Sequence, residues 1–209
     1  MRKYSVMVVE DQPMTRHLLE MFIKSSKKYE LAFSLDNATM ADIYCAGNKI
    51  DLILMDVLME SGYSGLYAAE RIKKHQPETK IILVTSMPEC SYIKRARKIG
   101  VESFWYKEAS QEAILDVMDR TMAGESVYPE HTPVLQIGHA KSTEFTEREL
   151  DVLREMTRGI TNAAIAEHLG IKEETVKVHI KHLLGKTGLS SRTDLAIKAR
   201  VSGLVISDE

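Results

Sequence analysis

Residues 1–123 are expected to form an α/β, doubly wound, five-stranded parallel sheet, and residues 144–209 an all-α unit of four helices. Two patterns support this. In the first part, short apolar runs alternate five times with segments of helical period, and serial βα units build a parallel sheet with helices on both faces. In the last part the strand-like runs stop and capped, apolar-periodic helices take over. Between them lies GESVYPEHTPVLQIGHAKST, residues 124–143, with two prolines, two glycines and no sustained period. It reads as a linker, partly ordered by Val127, Tyr128, Val134, Leu135 and Ile137 packing on a domain.

The strands are expected at 4–9, 31–35, 52–55, 81–84 and 103–106. Helices are expected near 13–26, 38–46, 65–75, 92–99 and 111–123. Gly100 suits the end of the fourth helix and Ser110 the N-cap of the fifth. The third strand, Leu52-Ile53-Leu54-Met55, is apolar throughout, as a strand buried on both faces must be.

Composition restricts the function classes. The chain has 209 residues, with 28 Lys and Arg against 30 Asp and Glu, so any basic surface must be local. Cys45 and Cys90 stand in no metal-ligand spacing and read as reduced thiols. MRKYSVMVVE has too short an apolar run for a signal peptide, and no stretch approaches the ~20 apolar residues of a membrane span. The expected location is the cytoplasm.

The polar residues fall at strand ends. Glu10 and Asp11 follow the first strand, Asp56 the third, Thr85 and Ser86 the fourth, and Lys107 the fifth. In an open parallel sheet these ends share one edge, where such folds place their chemistry. Asp56 alone could be a nucleophile, a metal ligand, both, or a loop-capping carboxylate. Three carboxylates together repel unless a hard cation sits among them, and oxygen ligands suit Mg²⁺. A Lys and a Thr hydroxyl opposite would then serve a tetrahedral, multiply charged group on Asp56.

This constellation resembles the receiver domain of bacterial two-component response regulators. The resemblance makes Asp56 the phosphoacceptor, with Glu10, Asp11, Asp56 and the Leu58 backbone carbonyl holding Mg²⁺. Thr85 and Lys107 would bind phosphoryl oxygens, and Thr85 and Phe104 would form the switch. Departures are visible. Receivers usually carry Pro four residues and Gly eight residues after the acceptor, where this chain has Glu60 and Ser64; Gly65 comes one residue late, implying an insertion in the loop 59–65. Glu108 replaces the Pro that often follows the Lys, and Phe104 stands where Tyr is common.

In the last part, Thr146 to Glu149 form a capping box opening a helix through Leu150, Leu153 and Met156. A short helix near 163–169, a turn at Gly170-Ile171 and a longer helix near 173–187 outline a helix-turn-helix. On the longer helix Val176, Ile180, Leu183 and Leu184 face inward. Lys177, Val178, Lys181 and His182 face outward, with no acid after Glu174. A solvated basic face is the plain alternative; a basic helix face on a near-neutral module is also a footprint for DNA phosphates, and Val178 offers a methyl contact to thymine. Gly185 inside the helix suggests a loosened final turn.

The segment is similar to the LuxR-type helix-turn-helix, through Thr146, Arg148, Glu149, Gly159, Asn162, Ile165, Thr175-Val176-Lys177, His179, Lys186, Gly188 and Arg192. With the receiver it matches the NarL/FixJ class. That resemblance implies base readout by Lys177, Val178 and Lys181, with Thr175, Lys186 and Arg192 nearer phosphates. The last helix, near 193–202, looks like a dimer surface.

The expected function is therefore phosphorylation of Asp56 by a sensor histidine kinase, controlling sequence-specific binding to double-stranded DNA and transcription. A homodimer forms on phosphorylation, and RNA polymerase is a downstream partner. No separate enzyme activity is expected: a dehalogenase-type phosphatase needs a second Asp two residues after the nucleophile, where Leu58 stands. The alternative is a DNA-binding regulator whose receiver is degenerate and which acts without phosphorylation.

Overall fold

The computed structural model describes residues 2–59, 64–108 and 113–206. They divide into two compact units, Met1–Ser86 with Ser91–His131, and Met87–Cys90 with Thr132–Glu209.

The first unit runs β1 (Tyr4–Val9), α1 (Pro13–Ser25), β2 (Tyr29–Leu35), α2 (Ala41–Gly47), β3 (Leu52–Asp56), α3 (Gly65–His75), β4 (Lys80–Thr85), α4 (Tyr92–Ile99), β5 (Ser103–Tyr106) and α5 (Ile114–Met122). All strand pairs are parallel, in the order β2-β1-β3-β4-β5. The apolar run of β3 takes the centre, and all five of its residues are buried.

Register delivers the polar residues to one place. Val9 pairs with Met55, so Glu10 and Asp56 follow side by side on adjacent strands. Asp56 pairs with Val84, and Thr85 with Tyr106, so Thr85 and Lys107 come next across the same edge.

Two element bounds differ from expectation for local reasons. The second helix begins at Ala41 rather than 38, because the Asn37 side chain accepts the Thr39 N–H at 3.2 Å and holds a turn there. The second strand starts earlier, at Tyr29, which pairs with Tyr4 and is buried with its hydroxyl donating to Asp119 at 2.6 Å. The fifth helix begins at Ile114 rather than 111, after the extended Ala113, so Ser110, which lies outside the described residues, does not cap it.

The stretch 124–143 is more ordered than a tether. Phe104 N–H donates to Val127 O (2.9 Å) and Val127 N–H to Ser103 Oγ (3.1 Å), so the chain continues along the outer edge of β5. Tyr128 donates to Val101 O at 2.7 Å, and the Arg97 guanidinium lies 4.1 Å from its ring centre. Further on, β6 (Gln136–Ile137) and β7 (Ala140–Lys141) form an antiparallel hairpin that belongs to the second unit. Ile137 is buried there and Leu135 partly so, whereas Val134 remains 58% exposed and does not pack as expected.

The second unit continues with a 3-10 turn (Ser142–Glu144), α6 (Glu147–Thr157), α7 (Asn162–Leu169), α8 (Glu173–Thr187) and α9 (Arg192–Val201). The capping box is formed: Thr146 Oγ1 accepts the Glu149 N–H, and Glu149 Oε2 accepts the Thr146 N–H at 2.8 Å. Gly170 ends α7 in the left-handed region, φ 62°, which makes the tight turn into α8. Val176, Ile180 and Leu183 of α8 bury against Val152, Leu153 and Ile165. Gly138 lies so close to the end of α8 that a Cβ there would sit 2.0 Å from the Thr187 carbonyl oxygen.

The expected loosening at Gly185 does not occur. The helix runs unbroken to Thr187, whose hydroxyl donates to Leu183 O at 2.8 Å, and Gly188 caps it at φ 68°. Packing of α8 on its neighbours overrides the weak propensity of one exposed glycine.

Candidate functional site

At the carboxyl edge of the first sheet, Glu10, Asp56 and Thr85 are 0%, 4% and 1% exposed. Lys107 Nζ bridges the two acids, 2.6 Å from Glu10 Oε2 and 2.9 Å from Asp56 Oδ2. The remaining oxygens accept backbone donors: Glu10 Oε1 the Gln12 N–H at 3.2 Å, and Asp56 Oδ1 the Leu58 N–H at 3.3 Å. Lys107 N–H donates to Thr85 O at 2.9 Å, fixing the β5 end against the β4 end.

This cluster carries more negative than positive charge. Burial pushes the Asp56 carboxyl up to about 7; Lys107 pulls it down and Glu10 pushes it further up. Burial works against the Lys107 ammonium, but Asp56 and Glu10 outweigh it and leave its pKa raised. One oxygen each from Glu10, Asp11 and Asp56 lies within 4.8 Å of the others. An all-carboxylate donor set of this size fits a hard divalent cation. Such a cation would offset the burial and the Glu10 charge that together raise Asp56.

Gly65 explains the shifted loop. Its N–H donates to Val57 O at 3.0 Å, and a Cβ there would lie 1.8 Å from the Asp56 carbonyl oxygen. The start of α3 therefore presses on the backbone of the Asp56 residue itself, and only glycine permits it. Ser64 caps the helix by accepting the Leu66 N–H. Residues 60–63, including Glu60, lie outside the described residues. Leu58 is 38% exposed beside the acid cluster. Phe104 is 1% exposed, with its ring edge-on to Tyr106 at 5.1 Å, so it is already enclosed in this state.

Two contributors were not legible as site residues. Gln12 supplies a backbone donor to Glu10, and a backbone role leaves no trace in side-chain chemistry. Arg16, one turn into α1, donates to the backbone oxygens of Glu10 and Asp11. Its only sequence signal is its place on the same short helix, just after the acid pair.

On α8, Thr175, Lys177, Val178, Lys181 and His182 are all exposed, as one outward face requires. Lys177 is held by Glu174 (2.8 Å) and Glu173 (3.2 Å), which raise its pKa. Lys186 and Arg192, expected near phosphates, also have partners inside the unit. Lys186 Nζ reaches Glu149 Oε2 (2.7 Å) and Glu144 O (2.9 Å), clamping α8 to the capping box of α6. Burial would raise the Glu149 carboxyl, but Lys186 and Thr146 outweigh it and hold it below the usual range. Arg192 donates to Asn162 Oδ1 (2.8 Å) and Ile160 O (2.9 Å), tying α9 to the start of α7. Both cations thus take part in the packing of the helices while remaining partly exposed.

Comparison with known proteins agrees with both halves. The response regulator receiver domain family matches residues 6–119, and the family described as bacterial regulatory proteins, luxR family, matches residues 143–199. The response regulator protein VraR of Staphylococcus aureus is 32% identical over 205 residues, covering 96% of this chain and 98% of that protein. Among solved structures, RcsB from Salmonella enterica serovar Typhimurium, bound to a promoter in the presence of phosphomimetic BeF₃⁻, superposes with a TM-score of 0.64 at 15% identity, covering 97% of this chain and 99% of that one. The response regulator ChrA of a heme-sensing two-component system gives 0.53 at 22% identity, covering 98% and 100%. The structural likenesses support the fold, and the family matches the membership. The chain belongs to the two-component response regulators that join a receiver domain to a LuxR-type helix-turn-helix domain, the NarL/FixJ class.

Proposed function

We propose that Asp56 is the phosphoacceptor, and that its phosphorylation by a sensor histidine kinase controls DNA binding by α8. The observation that carries this reading is the buried Asp56 carboxylate, bridged through Lys107 to Glu10 at the sheet edge. An Asp56 oxygen attacks phosphorus as the bond from phosphorus to the donor breaks, giving an acyl phosphate on Asp56. Glu10, Asp11, Asp56 and the Leu58 carbonyl would hold Mg²⁺, which when bound neutralises phosphoryl charge. Lys107 keeps its ammonium among the new oxygens, exchanging a carboxylate partner for a phosphoryl one. The added charge, about −1.5 to −2 on groups of this kind, draws the Thr85 hydroxyl toward it. Phe104, enclosed beside β4, then repacks with Thr85.

On α8, Lys177, Val178 and Lys181 read base edges, and Thr175 and His182 sit nearer phosphates. Lys186 and Arg192 contribute to the same interface mainly by fixing α8 on α6 and α9 on α7. Two copies of the chain on paired half-sites are the binding form, in the cytoplasm, with RNA polymerase as the downstream partner. Among the described residues no helix is long and apolar enough to cross a membrane.

The decisive measurement is covalent labelling. Asp56→Asn keeps the shape of the site but removes the nucleophile, so labelling by acetyl phosphate with Mg²⁺ is expected to vanish while the far-ultraviolet circular dichroism is unchanged. Label persisting on the variant moves the acceptor elsewhere. Equal DNA affinity of the labelled and unlabelled natural chain supports a receiver that no longer switches.

A further inference from the structure

We infer that Arg16 is a positioning residue for the metal-binding acids, gripping the β1–α1 turn by its backbone so that Glu10 and Asp11 project together toward Asp56. The inference rests on the reading of Glu10 and Asp11 as metal ligands. Glu10 and Asp11 lie beyond the last paired residue of β1, Val9, so their carbonyl oxygens have no place in the sheet ladder. Arg16 Nη1 donates to Glu10 O at 2.8 Å and lies 3.4 Å from Asp11 O. Its own backbone N–H donates to Gln12 O at 2.9 Å, so its Cα is anchored in the first turn of α1.

Pro13 fixes the backbone entering α1. It begins α1 without an N–H of its own, and the helix has no side-chain cap at Gln12 and no acid in its first turn. Glu10 is held on its amide side, where its N–H donates to Leu35 O at 3.0 Å, and through its carboxylate, which accepts the Gln12 N–H at 3.2 Å; Arg16 adds the restraint on the carbonyl side of the turn. With β1 fixed, a rotation about the Glu10 ψ turns its carbonyl and carries Asp11, with its carboxylate, away from the shared site. Arg16 restrains both carbonyls at once, and a planar guanidinium does this with little residual freedom.

The effect is one of geometry rather than charge. Arg16 meets backbone carbonyl oxygens and none of the three carboxylates. A cation near three acids would in any case compete with a metal ion, so a favourable role must come from orientation.

The test uses the full-length chain and Mn²⁺ alone as the probe, with free Mn²⁺ followed by electron paramagnetic resonance. Arg16→Ala is expected to weaken Mn²⁺ binding by about tenfold, the lower end for partners that orient metal ligands. Arg16→Lys, which keeps the charge but not the fork, is expected to fall between. With acetyl phosphate as donor, Arg16→Ala should raise the Mg²⁺ concentration at half-maximal labelling and leave the maximal rate nearly unchanged. Simple destabilisation would not produce that split, and if Arg16→Ala unfolds, Arg16→Lys carries the same comparison. Mn²⁺ binding by Arg16→Ala within twofold of the natural chain overturns the inference. So does Arg16→Lys binding as tightly as the natural chain while Arg16→Ala does not, because charge alone would then suffice. Failure of the natural chain to take up Mn²⁺ strikes at the metal site itself, and the inference falls with it.

Discussion

The acid cluster of the first unit and the outward face of α8 are built on opposite principles. Glu10, Asp56 and Thr85 are buried, and their partners are other parts of the same sheet edge. The side chains of α8 that face out are exposed, and their binding partner is absent from the fold. A buried polar site must satisfy itself, so its geometry is determined by the protein that contains it. An exposed basic face is under no such constraint, and its cations go to whichever acceptors are nearest. Lys177 shows the consequence: its ammonium pairs with Glu174 and Glu173 on its own helix.

Four experiments press on this contrast. The largest effect is expected at the buried site and concerns pH. The Asp56 pKa in the folded chain, about 7, lies above its ordinary value of 3.8, so the folded state holds the proton more tightly than the unfolded state. Stability should therefore fall as pH rises from about 4 through about 7, by about 2–3 kcal/mol between pH 5 and pH 8 without metal. Urea titrations at the two pH values measure it. Asp56→Asn should remove that part of the dependence, and saturating Mg²⁺ should flatten it. A metal-free chain equally stable at both values would mean that burial does not hold a proton on Asp56.

The next effect tests whether Lys186 is a strut. Lys186→Ala leaves the Glu149 carboxylate, 3% exposed, without its cation, and should destabilise the second unit by about 1–2 kcal/mol. The urea midpoint reports this. A variant as stable as the natural chain, but with a shallower salt dependence of DNA binding, would return Lys186 to the phosphate backbone.

Lys177→Ala probes the exposed face directly. If Lys177 touches a base edge, affinity for a cognate duplex should drop about tenfold, and affinity for a scrambled duplex should hardly change. An equal loss on both duplexes would assign it to phosphate. The smallest effect is at Gly185, where an added Cβ would meet nothing within 4 Å. Gly185→Ala should stabilise α8 by about 0.8–1 kcal/mol, read as a higher melting temperature. No gain would mean that Gly185 serves a close approach made only on DNA.

Much of the first unit was legible because its constraints are local and strong. A five-fold alternation of apolar runs and helical segments leaves little choice but a parallel sheet, and strand-end polar residues then share an edge. The capping box at Thr146 and the left-handed glycine after α7 were legible for the same reason. The role of Gly65 was not, because one residue of displacement along a loop looks like a defect until the carbonyl of Asp56 is found in its way. That Val127 and Tyr128 would pack was legible, but their partners at Ser103 and Val101 were not, being more than twenty residues back.

By itself the sequence determined the periodicities, the caps and the chemical kinds of residue at each strand end, because these depend on neighbours within a few positions. Tertiary structure alone decided which partners Lys107 and Lys186 take. The same lysine side chain at 107 and at 186 carries the same charge and reach. One bridges two acids of a reactive edge and the other clamps two helices, because the sheet register brings Glu10 and Asp56 to the first while helix packing brings Glu149 to the second. Coulomb attraction falls off within a few ångströms once water intervenes, so the assignment belongs to whatever the folded chain places within that range.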